Sequence, residues 1–203
     1  MNPHSEFIEQ CQKIIGIANV LTSDFDKKPF LHDWSKRYSG NAIAVLKPKT
    51  TEEVAALVKL CSQENIAITP QGGNTGLCGG ATPRLHGNSV VISTVRLNTI
   101  REIDLDNSTI TVDSGAILST VQEAALNAGM LFPLSLAAEG SCTIGGNLGT
   151  NAGGVQVLRY GNMRDLTLGL EVVTATGEIL HGLRGLRKDN TGYSLKDLYI
   201  GSE

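Results

Sequence analysis

Aromatic residues are scarce, at 4% of 203, and Trp34 is the single tryptophan. The core therefore falls to Leu, Ile, Val and Ala. No stretch approaches the roughly 18 consecutive apolar residues of a membrane-spanning helix. A basic surplus is missing as well: 17 Lys and Arg stand against 20 Asp and Glu, a balance that leaves no electrostatic footprint for nucleic acid. No run of like charges marks an interaction tail. The opening residues lack the basic head and apolar run of a secretory signal, so the expectation is a soluble, cytoplasmic protein.

Two kinds of reactive cluster are also absent. Cys11, Cys61, Cys78 and Cys142 form no CxxC pair. That excludes the usual zinc and redox dithiol spacings and leaves buried or idle thiols as the expectation. His4, His32, His86 and His181 are scattered, with no HxH or HExxH pair, and no metal ligand is assigned. A chain of this length is one domain or two small ones, and it is long enough to bury a core without staples.

Glycine, by contrast, is abundant and clumped. It makes up 23 of 203 residues, and 11 of the 23 fall within residues 72–80 and 140–154. Neither stretch has the Ser/Pro filler of a linker. Glycine concentrates in this way where backbone turns sharply or approaches a ligand closely.

Periodicity places the clusters between regular elements. Residues 5–19 have helical spacing with Ser5 as N-cap, and residues 20–40 are irregular. A βαβ pattern follows: a strand over Ala42–Leu46, a capping box at Thr50–Glu53 opening a helix to about Glu64, and a strand over Ile66–Thr69 ending at Pro70. Ser89–Ser93 reads as a buried strand. Arg101–Leu105 and Thr109–Asp113 flank a turn at Asp106–Asn107. Ile117–Ala128 is helical, with Gly129 as its stop. Thr167–Thr174 and Glu178–His181 flank Thr176–Gly177, and Ser194–Leu198 is a short helix. A parallel opening followed by hairpins gives an α+β class.

The first cluster, Thr69-Pro-Gln-Gly-Gly-Asn-Thr-Gly-Leu-Cys-Gly-Gly80, lies at the C-terminal end of a parallel strand, where ligands of open sheets usually bind. Its backbone N–H groups suit an anion such as a diphosphate, although a long loop of turn residues accounts for the same composition. It is neither GxGxxG nor GxxxxGK[ST]. The second cluster, Glu139-Gly-Ser-Cys-Thr-Ile-Gly-Gly-Asn-Leu-Gly-Thr-Asn-Ala-Gly-Gly154, admits a flat ring or a phosphate, or equally a glycine-rich helix packed closely on its neighbour.

Together these stretches carry a resemblance. Pro70-Gln-Gly-Gly-Asn-Thr-Gly76, Pro133-Leu-Ser-Leu-Ala-Ala-Glu-Gly-Ser141, Thr143-Ile-Gly-Gly-Asn147 and Thr150-Asn-Ala-Gly-Gly154 are similar to the flavin-binding half of the FAD-linked oxidases of the vanillyl-alcohol-oxidase type. The likeness extends through Leu158-Arg-Tyr-Gly161, Arg187-Lys-Asp-Asn-Thr-Gly-Tyr193 and Ile200-Gly-Ser-Glu203, and upstream to Asp33-Trp34, Tyr38 and Lys47–Val54. Within that family it is strongest toward the D-2-hydroxy-acid dehydrogenases.

The resemblance implies a two-subdomain FAD-binding fold: a small parallel βαβ piece and a larger mixed or antiparallel sheet with flanking helices. It implies that Pro70, Gln71, Gly72, Gly73, Asn74, Thr75, Gly76 and Leu77 wrap the FAD diphosphate. Pro133, Gly140, Ser141, Thr143, Gly145, Gly146, Asn147, Thr150, Asn151, Gly153 and Gly154 complete the cofactor set. Some relatives tether the flavin through a His in the first loop. Thr75 occupies that position here, which implies non-covalent FAD. The implied reaction is hydride transfer from the Cα of a D-2-hydroxy acid, 2-hydroxyglutarate-like, to the flavin, giving the 2-oxo acid, with electrons passed on to a separate acceptor.

The resemblance also divides the chain into a lead-in over 1–40 and an FAD-binding domain over 41–203, stopping within a motif and short of a substrate domain. No catalytic residue is assigned. D-lactate or glycolate oxidation, or a catalytically inert flavin-binding fragment, are the alternatives. Arg184, Arg187 and Lys188 are expected in a solvated loop, Trp34 and Tyr38 as core anchors, and Glu139 is left without a role.

Overall fold

A computed structural model of the chain describes residues 4–85 and 88–203. His86 lies outside the described residues. The chain divides into two units, Met1–Leu97 with Val173–Ile179, and Asn98–Val172 with Leu180–Glu203.

The first unit opens with α1 (Ser5–Ile15), whose helical spacing turns Phe7, Cys11 and Ile15 inward. Its N-cap is His4, not Ser5, and Gly16 at φ 82° ends it four residues earlier than the apolar spacing suggests. Next come β1 (Val20–Leu21), α2 (Asp24–Lys27) and β2 (Val45–Leu46). In α3 (Thr51–Gln63), the Thr50 side chain accepts from Glu53 N at 3.2 Å, while Glu53 reaches back to Lys49 N at 2.6 Å. The reciprocal arm of the expected capping box is thus displaced by one residue. β3 (Ala67–Gln71) and β4 (Ser89–Ser93) complete a four-stranded sheet of order β1-β2-β4-β3.

β4 is parallel to both β2 and β3 and lies between them, so the two strands of the βαβ pattern are not hydrogen-bonded to each other. This central strand is buried at all five residues. Its alternating side chains serve two cores: Val90 and Ile92 pack with α1 and α3, while Val91 packs with Ala42 and Val45 under Leu21, Phe30 and Leu31. β3 is one of the two edge strands and carries Pro70 within it, opposite Ile92. An edge position tolerates the missing N–H, so the strand runs through the proline instead of stopping at it.

Residues 20–40, expected to be irregular, hold β1, α2 and a cover for the second face of the sheet. Lys27 is buried, its Nζ donating to Ala42 O at 3.0 Å and pairing with Asp24 at 3.2 Å. Gly177, at φ 80° in the turn of residues 173–179, fits closely over α3: a Cβ there would lie 2.7 Å from Ala55 O.

The second unit contains β5 (Ile100–Asp104) and β6 (Thr109–Val112), an antiparallel pair with an irregular register between Ile100 and Glu102. α4 (Leu118–Asn127) follows, stopped by Gly129 at φ 76°. After it come the short helices α5 (Ile144–Gly149), α6 (Val157–Tyr160) and α7 (Met163–Leu166). The chain then forms the paired strands β7 (Leu170–Val173) and β8 (Ile179–Gly182), and finally α8 (Lys196–Tyr199). Leu118, Val121, Leu134, Cys142, Ile144 and Met163 form the core of this unit. The antiparallel part consists of two two-stranded ribbons. Among the described residues, no helix is long and apolar enough to cross a membrane.

Candidate functional site

The first glycine cluster begins where β3 ends, at the C-terminal end of a strand parallel to its neighbour. Gln71 is buried, and its Nε2 donates to Phe30 O at 3.0 Å and Ala81 O at 2.8 Å, drawing the base of the loop together. Asn74 sits at φ 51°, a left-handed conformation that asparagine tolerates better than most residues. Its Nδ2 donates to His32 O at 2.7 Å, so that donor shapes the loop.

With those side chains engaged, the loop offers its backbone. Among the described residues, no N–H of residues 72–78 donates to a carbonyl. Nor does any residue from Thr69 to Pro83 carry a charge, so an anion held here is held by peptide dipoles. Gly76 is exposed and a Cβ there would meet nothing within 4 Å, whereas Gly72 and Thr75 are half-buried and Gly73 and Leu77 exposed.

In the second unit the glycine helix α5 is set by the loop at residues 113–116. Arg101 Nε donates to the buried Asp113 at 2.6 Å, and Asp113 also accepts from Thr99 N at 3.1 Å. Ser114 O then accepts from Gly145 N at 2.7 Å, and Ala116 O from Ile144 N at 2.9 Å. Burial pushes the neighbouring Cys142 thiol above its ordinary range.

The glycines of this stretch separate into two groups. A Cβ on Gly145 would lie 2.7 Å from Ser114 Cβ; on Gly153, 2.8 Å from Asn162 Oδ1; on Gly154, 1.7 Å from Ser135 O. These three are needed for the chain to pack on itself; within α5 the close packing expected of a glycine-rich helix holds at Gly145 alone. Gly140 and Gly149 face open space, and Gly146 meets only Thr143 Oγ1 at 3.5 Å.

Among the described residues, two polar atoms beside them are buried without a hydrogen-bond partner, Thr143 Oγ1 and Asn147 Nδ2, the latter's amide lying beside the Cys142 thiol. Buried polar groups are ordinarily bonded, so these donors and the open space at Gly140 and Gly149 fit a bound polar group. The other expected residues have partners or lie open. Thr150 Oγ1 donates to Gly146 O at 3.0 Å, and Asn151 accepts from Arg164 N at 2.9 Å. Ser141 is exposed and Pro133 half-buried.

Several readings change. Trp34 and Tyr38 are not core anchors, being 70% and 48% exposed. Tyr38 instead lays its ring on Gly79. Glu139 closes a turn by accepting from Leu136 N at 3.0 Å; bonding from Ser135 leads the effects that hold its carboxyl below the usual range. Arg184 and Lys188 are exposed as expected, and the exposed Arg187 donates to Asn107 O at 3.0 Å. The supporting groups Ser114 and Ser135 had no local signal, because each acts on a glycine far along the chain.

The protein-family model described as an FAD binding domain matches residues 42–182. The chain belongs to this FAD-binding family. It is 44% identical over 186 residues to the mitochondrial D-2-hydroxyglutarate dehydrogenase of Bos taurus, covering 92% of this chain and 34% of that one. It is also 44% identical over 203 residues to a putative mitochondrial D-lactate dehydrogenase of Schizosaccharomyces pombe, covering 97% of this chain and 38% of the relative.

The chain thus spans roughly a third of the length of the curated relatives it matches. Among solved structures, alkyldihydroxyacetonephosphate synthase superposes with a TM-score of 0.86 at 22% identity, covering 97% of this chain and 37% of that one. p-Cresol methylhydroxylase follows the same course with a TM-score of 0.76 at 21% identity, covering 96% and 40%. These likenesses establish the FAD-binding fold expected from the resemblance. The expectation of a cytoplasmic protein is overturned: the relatives from Bos taurus, Danio rerio and Arabidopsis thaliana are named mitochondrial.

Proposed function

We propose that this chain supplies the FAD-binding part of a flavin-dependent dehydrogenase that oxidises a D-2-hydroxy acid, D-2-hydroxyglutarate first among them, to the 2-oxo acid. The observation that carries the reading is the run of N–H groups at residues 72–78 with no carbonyl partner among the described residues, at the end of a parallel strand. These donors suit the diphosphate, together with Pro70, Gln71, Gly72, Gly73, Asn74, Thr75, Gly76 and Leu77 as the loop that presents them. Thr143 and Asn147 offer two buried polar atoms without hydrogen-bond partners among the described residues, Gly140, Gly146 and Gly149 leave room beside them, and Ser141, Thr150 and Asn151 complete the set. Gly145, Gly153 and Gly154, with Pro133 near Ser135, act by holding the backbone in place.

The bound flavin supplies the hydride acceptor, and a separate acceptor takes the electrons onward. The chain's own part is placement: neutral peptide N–H dipoles stabilise the diphosphate charge by hydrogen bonding, without competing ion pairs. Thr75, in place of a tethering histidine, supports non-covalent attachment. The D-lactate reading keeps its place because of the 44% identity to the Schizosaccharomyces pombe relative.

Visible spectra of the purified chain before and after FAD addition test the cofactor assignment. Flavin bands retained through desalting and released on acid denaturation are expected. Flavin that precipitates with the protein refutes the non-covalent assignment. Bleaching of the bound flavin by D-2-hydroxyglutarate and not by D-lactate, in the protein carrying this domain, tests the substrate; the reverse order selects the second reading.

A further inference from the structure

The segment 30–41 touches the first glycine loop at Gln71, Asn74 and Gly79, and the chain just beyond it at Pro83 and Arg84. Phe30 O receives Gln71 Nε2 at 3.0 Å, and His32 O receives Asn74 Nδ2 at 2.7 Å. Tyr38 presents its ring to Gly79: a Cβ on Gly79 would lie 2.8 Å from the ring's Cγ and Cδ2, and Gly79 has φ 77° besides. Gly40 lies against the backbone of Pro83, with room for no Cβ, and Asn41 N donates to Arg84 O at 3.0 Å. The segment's own shape is closed by Asp33, which is 4% exposed. Its carboxylate accepts from Tyr38 N at 2.8 Å, from Ser35 N at 3.0 Å and from Ser35 Oγ, while Asp33 N donates to Tyr38 O at 3.2 Å. A bridge between His32 and Ser39 completes the hairpin.

The loop's own ties lie at its base, where Gln71 Nε2 donates to Ala81 O at 2.8 Å and Thr82 N to Gly79 O at 3.0 Å. Between them the N–H groups of residues 72–78 have no carbonyl partners among the described residues, and further ties at Gln71, Asn74 and Gly79 lead to segment 30–41. Fixing a residue's backbone costs conformational entropy, and a loop that is only sometimes in its binding shape binds in proportion to that fraction.

We propose that residues 30–41 are a brace that holds the first glycine loop in its FAD-binding shape, with Tyr38 and Asp33 as positioning residues. The inference rests on the reading that residues 72–78 hold the FAD diphosphate. It goes beyond that reading in assigning affinity to residues outside the loop.

FAD titrations of the wild-type chain, Tyr38→Ala, Tyr38→Phe and Asn74→Gly, each paired with a thermal melt, test it. Tyr38→Phe keeps the ring and is expected to bind as wild type does. Tyr38→Ala is expected to bind FAD about ten- to a hundredfold more weakly, with cooperative melting retained. Asn74→Gly keeps the left-handed backbone and removes only the amide tie to His32. If both act by loosening the same loop, the double variant binds little worse than the weaker single one; multiplied losses overturn the brace.

Wild-type affinity in Tyr38→Ala, with the wild-type chain binding FAD, also overturns it and leaves the cofactor reading intact. No FAD binding by the wild-type chain removes the reading and the brace with it. Loss of FAD in Tyr38→Ala only together with loss of cooperative melting makes the segment ordinary core, and Asp33→Asn then serves as the milder variant under the same criteria.

Discussion

Two glycine-to-alanine substitutions separate the glycines that serve packing from those that serve a ligand. At Gly154 the added Cβ falls 1.7 Å from Ser135 O and 2.6 Å from Ser135 C, both backbone atoms. The chain there must shift, which strains the hydrogen bond from Val155 N to Ser135 O at 3.1 Å. Overpacking costs about 1–3 kcal/mol and the weakened bond about 1 kcal/mol more. For a chain of this size that lowers the melting temperature by roughly 5–15 °C. At Gly76 the Cβ meets nothing within 4 Å and the backbone is not left-handed. Gly76→Ala therefore leaves stability unchanged or raises it by about 0.4–1 kcal/mol, through the unfolded chain. The same methyl stands where the diphosphate approaches the free N–H groups. Losing one hydrogen bond to a charged group costs about 1.5–3 kcal/mol, or about ten- to 150-fold in affinity. Differential scanning fluorimetry and FAD titration of both variants decide the matter. Gly76→Ala that binds FAD like the wild type refutes close approach at the first loop. Gly154→Ala that melts like the wild type refutes the packing role.

Two further outcomes follow from the side chains. Native alkylation with iodoacetamide is expected to modify Cys78 alone, because it is exposed while burial pushes the Cys11 and Cys61 thiols up to about 12 and also covers Cys142. Four modified cysteines without denaturant refute that burial, and added FAD is expected to slow the reaction at Cys78. Burial works to raise the Asp33 carboxyl, but hydrogen bonds from Ser35 and from the Tyr38 and Arg37 backbone outweigh it and hold it below the usual range. Such a depressed group stabilises fully above its unfolded value of about 3.9 and loses that contribution as pH falls through the folded value. The gap in melting temperature between wild type and Asp33→Asn is thus expected to be constant from about pH 5 to 8 and to close in stronger acid. A gap that widens in acid contradicts the assignment.

Much of the fold was legible because its signals are local. The β4 run, the α3 cap at Thr50 and the stop at Gly129 all depend on residues within a turn of one another. What escaped depends on distant partners. Residues 20–40 have no periodicity, yet Phe30 and Leu31 are ordered by the sheet face they cover and Lys27 by a carbonyl at residue 42. The insertion of β4 between β2 and β3 leaves no trace in either strand's own sequence. The cofactor loops were visible as glycine motifs, but a motif does not distinguish Gly154, required by Ser135, from Gly140, which faces open space. That difference lies in the other side of each contact.

Pro70 has a consequence beyond the loop it precedes. An edge strand presents a row of unpaired donors and acceptors that another chain can adopt as a template. β3 is such an edge, and Ala67 and Pro70 on it are exposed. A proline there deletes one of the donors that an added strand would need. The residue at the mouth of the glycine loop thereby caps the sheet against growth, and a Pro70→Val variant would give the chain a stickier edge, prone to self-association while folding.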